Sequence, residues 1–143
     1  MHKKILFVLT RDDDGYPPMD VEGVWAIEVD DGGYEIDNIP FFASQATVGD
    51  IIEAKSVDGQ LFYERTRRPS KHSLLRVALF DGRDPAPLRS KLAKLGCSTE
   101  QSHLACLIAV DVPPTVSLDE VRALLDDGCD RGFWDYEEPI LRR

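Results

Sequence analysis

Short apolar runs separated by polar breaks make up this chain, and their rhythm changes near the middle. Residues 3–10 (KKILFVLT) form a β-rich run that Asp12-Asp13-Asp14-Gly15 ends. Pro17 and Pro18 cannot donate to a ladder and set an extended path after it. Over residues 21–30 (VEGVWAIEVD), Val21, Trp25, Ile27 and Val29 oppose Glu22, Ala26, Glu28 and Asp30, with Gly23 out of step. That alternation predicts a half-buried strand with a bulge at the glycine. Asp31-Gly32-Gly33 predicts a hairpin turn, because glycine enters positive φ at low cost, and residues 34–40 (YEIDNIP) return as the partner strand. Gly49-Asp50 turns the chain into residues 51–56, and Asp58-Gly59 turns it into residues 60–67, a second hairpin. Several short antiparallel strands in succession predict a small barrel or a strongly bent sheet.

From residue 72 onward, helices enter. Residues 72–80 (HSLLRVALF) are almost continuously apolar, the mark of a central strand buried on both faces. Residues 84–95 predict a helix, with Asp84 as cap, Pro85 in the first turn, Leu88, Leu92 and Leu95 on one face, and Gly96 at its end. Residues 97–101 predict a polar edge strand, and residues 104–112 (LACLIAVDV) are the most apolar run in the chain, stopped by Pro113-Pro114. Ser117 with Glu120 three residues on has capping-box spacing and opens a helix over Leu118 to about Cys129, whose end Gly128 and Gly132 loosen. Residues 133–141 predict the last strand. The order β-α-β-β-α-β is that of a split-βαβ, ferredoxin-like unit. The expected fold is therefore α+β, with a β-barrel-like half over residues 1–70 packed on a ferredoxin-like half over residues 71–143 as one compact unit.

Composition narrows the class. The chain has 143 residues, 43% hydrophobic and 30% charged, which fits a globular protein and not a disordered one. The apolar run Ile5 to Leu9 is shorter than a signal-peptide core of about 7–15 residues, and no segment approaches the roughly 20 apolar residues of a membrane span. Cys97, Cys106 and Cys129 are odd in number and form no C-x-x-C, which suits a reducing compartment and predicts a cytoplasmic protein without a disulfide framework. His2, His72 and His103 are scattered, so no metal site and no cofactor are expected. The net charge of −9 is unevenly spread: residues 1–63 carry 13 acids and 4 bases, residues 64–95 carry 3 and 9, and residues 96–143 carry 10 and 4. Overall acidity argues against a nucleic-acid partner, and Arg65, Arg67, Arg68 and Lys71 are expected to be solvated charges near acidic neighbours.

The segments DDDGYPPMDVEGVWA, DNIPFFA, VGD and HSLLRV together resemble a bacterial family known as domain of unknown function 4265. Its members are similar at Asp14 to Pro18, Glu22 and Trp25, Asp37 to Ala43, Gly49-Asp50, Ala109 to Pro114, and Trp134 to Glu138. The resemblance spans nearly the whole chain. It implies a small, stand-alone bacterial protein and brings no activity with it.

Motifs for chemistry are sparse. Asp12, Asp13, Asp14, Asp20 and Glu22 surround Tyr16-Pro17, but they lack the spaced ligands and closing glutamate of a calcium loop, so a solvated acidic turn is the better account. Phe41 and Phe42 are costly to expose; one is expected in the core and the other beside Trp25, with the Asn38 amide satisfying backbone groups in the bend. His72 and Ser73 point to opposite faces of a strand and cannot easily pair. Neither a nucleophile elbow nor a glycine-rich phosphate loop is present, and the cysteines are expected to be incidental. No catalytic residue is assigned. The candidate binding residues are Asp14, Tyr16, Asp20, Glu22, Trp25, Asn38, Phe41, Phe42 and His72.

Three functions are consistent with this pattern. The foremost is a non-enzymatic module that binds another protein, in one version an immunity- or antitoxin-like inhibitor. Its contact would be Asp12 to Glu22 with Trp25, or the acidic end Asp126 to Glu138. The others are a small-molecule sensor, a homodimer in one form, and an enzyme using His72 with carboxylates of the acidic loop. A membrane partner is not expected.

Overall fold

The structure, a computed structural model, describes residues 2–17, 19–102 and 106–142. The chain divides into two compact units, Met1–Ser70 and Lys71–Arg143, and the fold is α+β.

The first unit is a closed five-stranded barrel in the order β1-β2-β3-β4-β5. Its strands are β1 (His2–Val8), β2 (Val21–Glu28), β3 (Tyr34–Ile36), β4 (Ile51–Val57) and β5 (Gln60–Arg68). Neighbours pair antiparallel, and a short parallel contact, Ile5 with Leu61 and Leu6 with Phe62, closes the ring. Asp58 and Gly59 both take positive φ (53° and 81°), the backbone that a two-residue hairpin loop requires. Five strands enclose a narrow interior. Ile5, Phe7, Val24, Ala26, Ile36 and Ile52 fill it, with the small Ala43 and Ala46, and Phe7 stacks on Tyr63 at 4.8 Å between ring centroids.

That narrow interior reverses the face expected of β2. Val24 and Ala26 point inward, while Val21 and Trp25 point outward. An indole would not fit where Ala26 sits among alanines. The expected bulge at Gly23 is also absent: β1 and β2 pair residue for residue from His2–Ile27 to Val8–Val21. Gly23 instead makes room for the Lys4 side chain, since a Cβ there would lie 2.8 Å from Lys4 Cδ. The return strand predicted to Pro40 stops at Ile36. Beyond it Asp37 N still donates to Trp25 O, and the amides of residues 41–43 turn to a side-chain acceptor. The Tyr16–Pro17 bond is cis, and Pro18 lies outside the described residues.

The second unit runs β6 (Ser73–Leu79), α1 (Ala86–Leu95), β7 (Ser98–Gln101), β8 (Leu107–Val112), α2 (Leu118–Asp130) and β9 (Trp134–Ile140). Its four strands form an antiparallel sheet in the order β7-β8-β6-β9, so the apolar β6 is central and the polar β7 is an edge. Leu75, Val77, Ile108 and Val110 of the sheet share one buried cluster with Leu88 and Leu92 of α1 and Val121 and Leu125 of α2. The Ser117 hydroxyl accepts from Glu120 N at 3.3 Å, as the capping spacing predicts. Pro85, not Asp84, occupies the cap position of α1, and Asp84 Oδ1 accepts from Ala86 N at 3.0 Å. Gly128 does not loosen α2. It lies inside the helix, which runs on to Asp130, and makes room for the Trp134 ring, within 1.9 Å of where a Cβ would stand; Trp134 Nε1 donates to Leu125 O at 2.9 Å. The start of the apolar run at residues 104–105 lies outside the described residues. No described helix is long and apolar enough to cross a membrane.

Candidate functional site

The site is built on the outer face of β1 and β2. Because inward and outward positions alternate along a strand, the pairs Lys4–Trp25, Leu6–Gly23 and Val8–Val21 all face out. Val8 is 61% exposed, Trp25 45% and Val21 40%, a row of apolar side chains that the barrel does not use. It leads into the loop joining the two strands, where Tyr16 is exposed and packs edge-on against Phe42 at 5.8 Å. Asp12 ties the first part of the loop locally: its Oδ1 accepts from both Asp14 N and Tyr16 N at 2.9 Å. Asp20 pairs with Arg11 at 3.1 Å. Among the described residues the side chains of Asp13 and Asp14 have no ion-pair partner, so this edge of the row is an open acidic rim.

Two polar side chains hold the surface in place. The Glu22 carboxylate accepts from Phe41 N (2.6 Å), Phe42 N (3.0 Å) and Ala43 N (2.7 Å), three consecutive amides that no strand satisfies. Glu22 is thus a strut for the Phe41-Phe42 bend, which seats Phe42 in the interior at 8% exposure and leaves Phe41 half-buried. Asn38 Oδ1 accepts from Trp25 N at 2.7 Å, and Asp37 N donates to Trp25 O at 2.9 Å. The Trp25 backbone is pinned on both sides while its ring is left to solvent.

Beside that ring lies an open groove of about 340 Å³ bounded by His2, Trp25, Asp37 and Asn38. His2 Nε2 lies 2.6 Å from Asp37 Oδ2, and Lys4 Nζ sits 5.3 Å from the centre of the indole. A separate cavity of about 470 Å³, lined by Lys3, Lys4, Glu28, Tyr34 and Gln60 among others, opens near the start of β1.

His72 belongs to the second unit, and the carboxylate beside it is not from the acidic loop. Its Nδ1 lies 2.8 and 3.0 Å from the two oxygens of Asp111, a buried residue of β8. Burial holds the Asp111 carboxyl above the usual range, and the hydrogen bond from His72 offsets this in part. Nearby Cys97 is buried, and its thiol is pushed up to about 11 by burial and by Asp111, so it is no nucleophile at neutral pH. Ser73 is engaged elsewhere: its hydroxyl donates to Arg142 O at 2.9 Å and accepts from Arg142 N at 2.8 Å. At the acidic end, Asp126 accepts from Tyr136 Oη, and Asp127, Glu137 and Glu138 pair with Arg131, Arg76 and Arg122. These carboxylates serve the unit itself, unlike Asp13 and Asp14.

The structure brings the sequence candidates Trp25 and Asn38 together with His2 and Asp37 and puts Glu22 under the Phe41-Phe42 bend; His2, Asp37 and Asp111 are not among those candidates. Asp111 carried a usable signal, the one charge inside the most apolar run. His2 carried none.

A family model described as Domain of unknown function (DUF4265) matches residues 22–136. A solved structure described as a hypothetical protein from Neisseria gonorrhoeae is similar at 20% identity and a TM-score of 0.84, over 100% of this chain and 97% of that one. At that identity the likeness is one of fold alone. No curated protein matches the chain.

Proposed function

Since the chain belongs to the DUF4265 family, whose description names no activity, we infer from its geometry that the protein is a non-enzymatic module binding another protein through the outer face of β1 and β2. The observation that carries this is Trp25: a large aromatic ring, 45% exposed, on a backbone fixed by Asn38 and Asp37. Interface energy concentrates in such anchors, because a rigid aromatic loses little conformational freedom on binding. Val8, Val21 and Tyr16 extend the apolar contact, and Asp13 and Asp14 supply a rim that steers a basic partner. An immunity- or antitoxin-like inhibitor of a basic toxin is one concrete form. The net charge of −9 disfavours a nucleic-acid partner. The free cysteines suit the cytoplasm, and the strand order of the second unit supports a ferredoxin-like assignment.

Site-specific photocrosslinking in the producing organism tests the inference. A benzophenone side chain at Val21 is expected to yield a discrete adduct with a second protein, and one at the exposed Lys94 is not. Identical patterns at both positions, or an adduct of two copies of this chain only, would overturn it.

A second reading, catalysis, is favoured by one observation: Asp111 orients His72 as a carboxylate orients a general base. The high thiol pKa of Cys97 and the engaged Ser73 hydroxyl leave that base without an evident nucleophile.

A further inference from the structure

We propose that the groove between Trp25, His2, Asp37 and Asn38 receives an arginine side chain of the protein partner. This deepens the binding function inferred above and rests on it. Three properties of the groove point to that chemistry. Its wall includes the Trp25 indole, a ring that attracts cations through its quadrupole, as it does Lys4 Nζ at 5.3 Å, although Lys4 does not line the groove. Its acceptor is Asp37: Oδ2 is engaged by His2 at 2.6 Å, while among the described residues nothing donates to Oδ1. Its carboxylate is within a partner's reach, with the Asp37 side chain 43% exposed. Asn38 gives the groove its shape. The Oδ1 bond to Trp25 N fixes the orientation of the amide, so the indole and Asp37 are held at a set spacing. A planar guanidinium can stack on the indole and donate to the carboxylate at once, which a lysine ammonium cannot do as well. A carboxylate or phosphate ligand would meet Asp37 and be repelled, and a purely apolar plug would leave Asp37 and His2 to be desolvated without a partner.

The test uses the purified chain and two capped peptides, tetra-arginine and tetra-lysine, titrated while the Trp25 indole N–H is followed by NMR. Tetra-arginine is expected to shift that signal and to bind about tenfold more tightly than tetra-lysine. Asp37→Asn removes the charge but leaves an amide oxygen that can accept from His2; with its fold checked by a melting curve, it is expected to weaken tetra-arginine about tenfold. The double variant Glu100→Gln/Asp119→Asn, at two exposed acids of the second unit and so outside this face, is expected to change it less than about twofold. Equal binding of both peptides, or an unchanged affinity in Asp37→Asn, would overturn the proposal by showing diffuse attraction to an acidic surface. Free arginine amide binding as well as the peptide would overturn it too, in favour of a small-molecule site. The two inferences fail separately: a crosslinked partner held equally well by Asp37→Asn removes the arginine pocket and leaves the binding module standing.

Discussion

Glu22 shows how a charged side chain can be structural on a surface that looks functional. It satisfies three backbone amides of the Phe41-Phe42 bend. Hydrogen bonds to a charged acceptor are the strong kind, so Glu22→Ala is expected to destabilise the protein by about 3 kcal/mol, with Glu22→Gln recovering roughly half, measured by denaturant midpoint. Cys97 gives a pH signature. Its thiol ionises only near pH 11 in the folded chain, against an ordinary value of 9.0. The folded form therefore keeps its proton longer than the unfolded one. Stability from this residue is intact below about pH 9 and is lost as pH rises from about 9 towards 11, and Cys97→Ala should remove that loss. At pH 8 a thiol reagent should modify the exposed Cys106 well before the buried Cys97.

Among the elements, β2 and α2 are where chain pattern and structure part company. Alternation in β2 was plain, but which face is buried depends on the width of the barrel, a property of five strands together. The bulky face went out because Val24 and Ala26 suit a narrow interior, and that reversal is what creates the site. The turns were legible because Asp58-Gly59 and Gly96 encode positive φ locally. So was the start of α2, because Ser117 and Glu120 make a local bond. The role of Gly128 was not, since it depends on Trp134, whose ring reaches it only once β9 has packed. Helix propensity alone says Gly128→Ala should stabilise α2 by about 1 kcal/mol. Packing says the opposite: a methyl group 1.9 Å from Trp134 Cζ2 must displace the indole, at a net loss of about 1–3 kcal/mol. Thermal melts with Trp fluorescence decide the sign.

Across the whole molecule, charge and apolar exposure act together. In the C-terminal unit Asp126, Asp127, Glu137 and Glu138 are engaged with its own arginines and Tyr136, whereas the acidic loop of the barrel leaves Asp13 and Asp14 open beside an apolar row. Steering by such a rim is sensitive to ionic strength, so association with a basic partner should slow several-fold between low and physiological salt while dissociation changes little. The distinction between the two acidic regions could not be read from the sequence, because it depends on which carboxylates meet arginines after folding. The central claim is that Trp25 is the anchor of a protein interface. The direct measurement is the affinity, by titration calorimetry, of the crosslinked partner for the wild-type chain and for Trp25→Ala. The account predicts a loss of about 30-fold or more, the signature of a hot spot, with a melting temperature close to wild type, since the ring is not part of the core. An unchanged affinity in a folded Trp25→Ala protein would contradict it.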